Sequence, residues 1–429
     1  MTESLLNLNE SSPKCENRIH STEIPSAYPA FLKKRVRAFY TERVEKSWGG
    51  KHILRSGNVP GPNAIQMMSN DYLSIADHPE IRKVQANSLI EDRDAVLMSG
   101  IFLQSGSIQH QFEEAMADFM KSDRTILSQS GWNANVGLIQ SIATEGVPVY
   151  IDMLAHMSLW EGIHSASATA RFFRHNDLDH LERKLKAHGS GIVVIDSVYS
   201  TNGSLAPIEE IVTLALAYNC VIIVDESHSL GTHGPEGRGL VVERGLEEAV
   251  HFRTASLAKA FAGRAGIVSC SEAFFDYFCS TSRPTIFSSA LLPHEILGLH
   301  KTLEVIRRAD QRRQQLHRNA QRLRNGLLAM GYNVFDSDSQ IVSLEPGIES
   351  LTMKVRDCLE HYKIFGSIFC APATPASRSL VRFSVNASLS LEDIDQVLAV
   401  CDEIQQRVGL EDWASTKRLS RLLNFQEAA

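Results

Sequence analysis

The chain has 429 residues, of which 43% are hydrophobic and 22% charged, and a formal net charge of -7. That composition excludes a disordered or collagen-like chain and allows a large core with more than one domain. A net negative molecule does not draw in nucleic acid by its overall field, so any anionic ligand must be held locally. The seven cysteines are widely spaced and form no CxxC pair, which suits reduced thiols rather than a disulfide scaffold or zinc site. The N-terminal stretch lacks the basic-then-apolar layout of a secretory signal, and no apolar run reaches membrane-span length. A cytoplasmic protein without a membrane span is the expectation.

Residues 1–26 are polar and read as a mobile arm, and 27–68 as an N-terminal helix and connecting segment. The helix, over 30–48, carries Lys33, Lys34, Arg35 and Arg37 and ends at Gly49 and Gly50. Residues 69–330 form the large domain. From about residue 120, short apolar runs at 125–127, 148–151, 191–196, 221–225, 252–255 and 266–270 alternate with helical patterns at 133–142, 177–187 and 208–218. This rhythm predicts an α/β fold with a mainly parallel central sheet, its strands apolar because both faces are buried. Residues 293–330 read as one long helical region. Residues 331–408 form a small C-terminal α+β domain with strands at 341–344, 363–369 and 379–385. Its last helix is capped by Ser390 and presents Ile394, Val397, Cys401, Ile404 and Val408 on one face. Residues 409–429 are a tail with one amphipathic stretch, 413–423.

Four segments carry chemistry. The apolar strand at 221–225 ends in Asp225, with His228 three residues on; ligand groups in open α/β sheets sit past the carboxyl ends of strands. Alone, D-x-x-H is more often a capping aspartate beside a surface histidine. A later strand runs into Thr254-Ala-Ser-Leu-Ala-Lys259, where small neighbours leave room for a planar ring beside an amine. Any single such lysine is more often solvated; its place after a second strand end gives it weight. Leu127 leads through a Ser/Gly turn into a helix, so Gly131 and Trp132 would present backbone N–H groups to a phosphate. His156 follows another strand and could stack on a planar ring, or be a core histidine. The chain has no Walker loop, GxGxxG after a strand, HExxH or GxSxG, and its sixteen histidines show no zinc spacing. No metal site is expected.

In this order the segments resemble fold-type I pyridoxal-phosphate enzymes. The stretches SQSGWNANVGL (128–138), AHMSLWEG (155–162), VDESHSLGTHGP (224–235), TASLAK (254–259) and IFSSALLP (286–293) are similar to the α-oxoamine synthase family, and within it to the quorum-sensing autoinducer synthases. The resemblance spans roughly residues 30 to 408. It implies pyridoxal 5'-phosphate held as a Schiff base by Lys259, which also moves the α-proton of the substrate. It places Asp225 at the pyridine nitrogen, His156 over the ring, and His228 and Ser200 near the ring hydroxyl. Gly131, Trp132 and Ser256 would bind phosphate. Ser289 would reach the phosphate of a neighbouring subunit, implying a homodimer. Asn70 and Arg382 would face the amino-acid carboxylate. Relatives often have glycines flanking the lysine where Ala258 and Ala262 stand here; the added methyl groups restrict that turn.

The resemblance implies an acyl-CoA:amino acid C-acyltransferase. It would condense a medium-chain acyl-CoA with 2-aminobutyrate or an S-adenosylmethionine-derived donor, lose carbon dioxide, and leave an α-aminoketone autoinducer precursor. Two alternatives stand beside it: another oxoamine synthase, such as one making 8-amino-7-oxononanoate, and a regulatory protein that keeps the fold. The basic cluster at Lys33–Arg37 reads either as a solvated helix face or as a site for CoA.

Overall fold

The computed structural model describes residues 23–91 and 97–419. Most of the expected arm at 1–26 and the end of the amphipathic stretch 413–423 lie outside them. Eleven strands are formed among the described residues: β1 (Ile65–Met67), β2 (Arg124–Ser128), β3 (Pro148–Asp152), β4 (Thr169–Phe173), β5 (Ile192–Asp196), β6 (Val221–Asp225), β7 (Phe252–Ser256), β8 (Gly266–Cys270), β9 (Ile341–Gly347), β10 (Ile364–Phe369) and β11 (Ser379–Ser384).

The larger sheet has seven strands in the order β2-β8-β7-β6-β5-β3-β4. The pairs from β7 through β6, β5 and β3 to β4 are parallel, whereas β8 runs antiparallel to both β7 and β2. It is a mixed sheet with a parallel majority, covered by helices, as the alternating pattern requires. The strand VIIVD of β6 is buried almost throughout because neighbours and helices shield both faces. A parallel series brings the carboxyl ends of β3, β5, β6 and β7 to one edge, so Asp152, Asp196, Asp225 and Ser256 all end there.

The smaller sheet, order β1-β10-β11-β9, is built on the C-terminal part but recruits β1 from before the large sheet begins. The two sheets share one continuous core, in which Leu257 and Ile267 belong to the same cluster as Ile341 and Val381. The junction is fixed by hydrogen bonds from β9 and the segment before it. Ser337 Oγ donates to Asn202 O at 2.6 Å, Ser339 Oγ to Gly203 O at 2.8 Å and Ser343 Oγ to Thr201 O at 2.5 Å. Gly203 has φ +77°, and a Cβ there would lie 2.0 Å from Ile341 O, so only glycine lets the two segments approach.

Several expected elements differ in detail. The helix over 30–48 is α-helical at Ala30–Ala38 and a π-helix at Phe39–Ser47, ending at two glycines of positive φ. The region 293–330 is two helices, Pro293–Arg307 and Asp310–Ala329, broken at Arg308 and Ala309 without a glycine or proline. Strands β1 and β4 and the helices Pro79–Glu91, Ile108–Met120, Met157–Ser165 and Glu272–Thr281 are further elements beyond those expected. The last helix, Leu391–Val408, carries the expected cap: Ser390 Oγ accepts from Asp393 N, and Asp393 accepts from Ser390 N. Such a cap contributes about 1 kcal/mol.

Six free cysteines lie in the described residues. There, no helix is long and apolar enough to cross a membrane. No cluster of three or more metal-ligating side chains occurs among them either.

Candidate active site

A cavity opens at the carboxyl edge of the large sheet. It is lined by Lys259, Asp225, His228, His156, Gly131, Trp132 and Ser256. Seven of the expected residues therefore meet in one place. Asn135, Ser158, Asp196, Val198 and Ser227 line it with them.

Each side chain is aimed by its element. Asp225 ends β6, and its two oxygens accept from different directions: Oδ1 from Ser227 N at 2.8 Å, Oδ2 from Asn135 Nδ2 at 2.7 Å. Ser227 Oγ in turn accepts from Ser256 N at 2.8 Å, tying the ends of β6 and β7 together. The loop carrying His228 is anchored by buried Glu226, which accepts from Val241 N and Ser229 Oγ, both at 3.0 Å, and faces buried Arg253 at 3.5 Å. His156 is the N-cap of Met157–Ser165, and its Nδ1 lies 2.7 Å from Ser158 Oγ.

The turn into the helix Gly131–Ile142 is compact. Ser130 caps it by accepting from Asn133 N, and the first intrahelical bond runs from Ala134 N to Ser130 O. The N–H groups of Gly131 and Trp132 precede that bond, and helix N-termini favour anions. A Cβ at Gly131 would fall 2.6 Å from Ser256 Cβ, and one at Gly266 would fall 2.1 Å from Ser130 O. Glycine at both positions is what lets the turn nest against β7 and β8. The exposed N–H groups of this turn suit a phosphate.

Electrostatics sharpen the picture. Burial, with Arg382 nearby, lowers the pKa of the Lys259 amine below the ordinary lysine range, while Asp225 opposes the shift. Burial and then Lys259 push His228 well below the usual histidine value. Burial also lowers His156, with Asp225 opposing. Asp196, paired with Asp225 in the strand register, is held well above the carboxylate range by burial and by that neighbouring charge.

A second group stands beside this cavity, contributed by the small sheet. Arg382 of β11 is buried; its Nη1 donates to Ser200 O at 2.8 Å and its Nη2 to Asn70 Oδ1 at 2.7 Å. Its buried Nε has no hydrogen-bond partner, and its guanidinium packs 4.5 Å from the Phe369 ring centre. Asn70 and Arg382 thus meet each other. Ser200 meets them through its backbone carbonyl rather than by lining the Lys259 cavity. Ser289 lies apart, in another cavity beside Gln129, whose Nε2 donates to Ser289 O.

Sequence reasoning passed over Asn135, Ser158, Tyr72 and Glu226. For Asn135 a signal existed: in Gly131–Ile142 it sits on the buried stripe with Ala134 and Leu138, where a polar side chain needs a partner. Ala262 has φ +48°, so the turn after Lys259 takes a left-handed residue where glycine would be unstrained.

A model of the family "aminotransferase class I and II" matches residues 62–400. The chain is 45% identical over 383 residues to the CAI-1 autoinducer synthase of Vibrio campbellii, covering 89% of this chain and 97% of that one. It is 30% identical over 353 residues to the 8-amino-7-oxononanoate synthase of Lysinibacillus sphaericus, covering 82% and 91% respectively. Among solved structures it is similar to SPT with PLP internal aldimine, with a TM-score of 0.81 and 25% identity over 89% of this chain and all of that one.

Proposed function

Because the chain belongs to the pyridoxal-phosphate-dependent α-oxoamine synthases, acyltransferases of the class I and II aminotransferase family, we propose that it condenses an acyl-CoA with an amino acid to make an autoinducer precursor. The acyl donor in this reading is a medium-chain thioester. The amino donor is 2-aminobutyrate or an equivalent derived from S-adenosylmethionine. The observation that carries it is the gathering of Lys259, Asp225, His228 and His156 in one cavity at the carboxyl edge of the large sheet, with the buried Arg382 guanidinium held by Ser200 O and Asn70 Oδ1.

Pyridoxal phosphate, when bound, supplies a carbonyl for an amine and a ring that accepts an electron pair from the α-carbon. The chain's own residues do the rest. Lys259 would hold the cofactor and would carry a proton to and from the α-carbon; its lowered pKa suits it to a base. Asp225 would face the pyridine nitrogen and favour its protonated form. His156 would cover the ring, with His228 on its hydroxyl side, while Ser200 holds Arg382 through its backbone carbonyl. Gly131, Trp132 and Ser256 would hold the phosphate. Arg382, steadied by Asn70, grips the substrate carboxylate with a planar fork. The new carbon–carbon bond joins the α-carbon to the acyl carbonyl, CoA leaves as thiol, and the carboxylate leaves as carbon dioxide. In a homodimer, Ser289 would complete the phosphate site of the partner subunit.

The test is mass spectrometry of products from purified holoprotein given 2-aminobutyrate, S-adenosylmethionine, alanine and glycine against a ladder of acyl-CoAs. The expected product is the α-aminoketone of a medium-chain thioester. Exclusive use of a pimeloyl-type thioester with alanine would instead make the chain an 8-amino-7-oxononanoate synthase.

A further inference from the structure

Behind the cofactor side of the cavity sits one buried amide. Asn135 is 1% exposed, and both of its polar atoms are committed. Its Nδ2 lies 2.7 Å from Asp225 Oδ2 and 2.8 Å from Ser158 Oγ, and its Oδ1 accepts from Thr254 Oγ1 at 2.5 Å.

The direction of each bond follows from donor and acceptor capacity. A carboxylate offers acceptors only, so the amide must turn its nitrogen to Asp225. The second amide hydrogen then goes to Ser158 Oγ. That hydroxyl, already accepting, has its own hydrogen to give, and His156 Nδ1 is 2.7 Å away. The backbone N–H of Ser158 points at the same nitrogen from 3.3 Å. A ring nitrogen approached by two donors is the unprotonated one, so the hydrogen of the neutral ring is on Nε2.

We propose that Asn135 is a positioning residue: it aims the Asp225 carboxylate into the cavity and, through Ser158, holds His156 as its Nε2–H tautomer. The tautomer arm stands on the chain's own hydrogen bonds. The Asp225 arm rests on the proposed placing of the pyridine ring between Asp225 and His156. The fork matters because one amide serves both faces of the ring site, the carboxylate at the ring's edge and the imidazole over its plane.

The experiment uses ¹⁵N-histidine-labelled apoprotein, with His156→Gln to assign the signal, together with equilibrium binding of pyridoxal phosphate. The wild type should show a protonated Nε2 and a bare Nδ1 at His156. Asn135→Ala leaves the Ser158 hydroxyl free to accept from His156 as well as donate to it. It should mix the tautomers and weaken cofactor binding about tenfold, the loss expected for one hydrogen bond to a charged group. Ser158→Ala separates the arms: it should disturb the His156 signal while binding stays within about threefold, since Asn135 still meets Asp225. Should Asn135→Ala fail to fold, Asn135→Asp keeps the shape and carries the affinity test. A proton on Nδ1 in the wild type, or wild-type affinity in the Asn135 variants, overturns the proposal. Neither readout needs amino acid or thioester, so failure of the proposed condensation would leave both intact.

Discussion

Tyr72 Oη lies 2.7 Å from His228 Nδ1, joining the segment that carries Asn70 to the loop that carries His228. Burial pushes the phenol up to about 12, so it keeps its proton; its oxygen also lies 3.3 Å from Asn70 Oδ1. Tyr72→Phe preserves the packing of a fully buried ring and removes the hydroxyl from both partners. His228 Nδ1 would then be buried without its partner, at a cost of about 1–3 kcal/mol. The expected result is a lower melting temperature for the apoprotein, read by scanning calorimetry. An unchanged melt would mean that another donor takes the place of the phenol.

The nested turn predicts a steric contrast between two glycines. A Cβ at Gly131 would meet Ser256 Cβ at 2.6 Å and its Cα at 2.9 Å, so backbone has to move. Gly131→Ala should cost about 1–3 kcal/mol, as overpacking does, and weaken pyridoxal-phosphate binding along with it. A Cβ at Gly61 would have no atom within 4 Å, and Gly61→Ala should stay within about 0.5 kcal/mol. Denaturant melts and cofactor titrations of both variants check this. Equal effects at the two positions would contradict the cradle.

Buried histidines set an acid limit on stability. Burial, followed by His317 and Arg244, lowers His233 from 6.5 to about 3, and His156 and His228 are depressed in the same direction. Below pH 6.5 the unfolded chain takes up protons that the folded chain refuses, so folding weakens as pH falls; above it these groups contribute no slope. Each contributes about 1.4 kcal/mol per pH unit while in its window. Urea unfolding of the apoprotein from about pH 7 to about pH 5 should show this loss, and His233→Gln should flatten it by the share of one histidine. An identical slope in the variant would place the acid sensitivity elsewhere.

What the sequence revealed of this site follows the physics of burial. Strand β6 was legible because VIIVD is apolar on both faces, and it delivers Asp225 to its end. Strand β7, FRTAS, is buried at its centre although it carries Arg253 and Thr254, and it ends three residues before Lys259. Strand β4, with the sequence TARFF, is an edge strand with largely half-exposed residues and lacks that signature. Strand β1 has three residues and gains its stability from pairing with β10, almost three hundred residues on, which no local pattern reports. The break at Arg308 and Ala309 has no helix-breaking residue. The contacts of Asn70, Tyr72 and Ser158 were hidden for the same reason, since each meets a partner on another element. Arg382 was found through family likeness; its hold on Ser200 is a tertiary fact.

The basic helix Ala30–Ala38 buries no residue, and Lys33 donates to Ser26 O at 2.6 Å. If Lys34, Arg35 and Arg37 meet the phosphates of CoA, their charge reversal together with Lys33 should raise the acyl-CoA KM about fivefold at low salt. The amino-acid KM should hardly move. Steady-state kinetics at two ionic strengths decide it, and equal changes in both constants would return the cluster to a solvated helix face.

Arg382 offers the sharpest separation between the two substrates. Both Nη atoms are already engaged, with Ser200 O and Asn70 Oδ1, so the guanidinium is held rigidly before any ligand arrives. A lysine cannot reproduce a planar fork, and from its single ammonium it cannot satisfy both anchors and a carboxylate in the same geometry. Arg382→Lys should therefore raise the amino-acid KM about 10–100-fold, the worth of one to two charge-assisted hydrogen bonds, and change the acyl-CoA KM by less than about threefold. Arg382 also helps depress the Lys259 amine, and a lysine in its place keeps the positive charge, so the pH dependence of cofactor binding should be largely retained. Initial rates with each substrate varied against saturating partner give both constants. A parallel rise in the two would show that the arginine shapes the cavity as a whole instead of gripping the carboxylate.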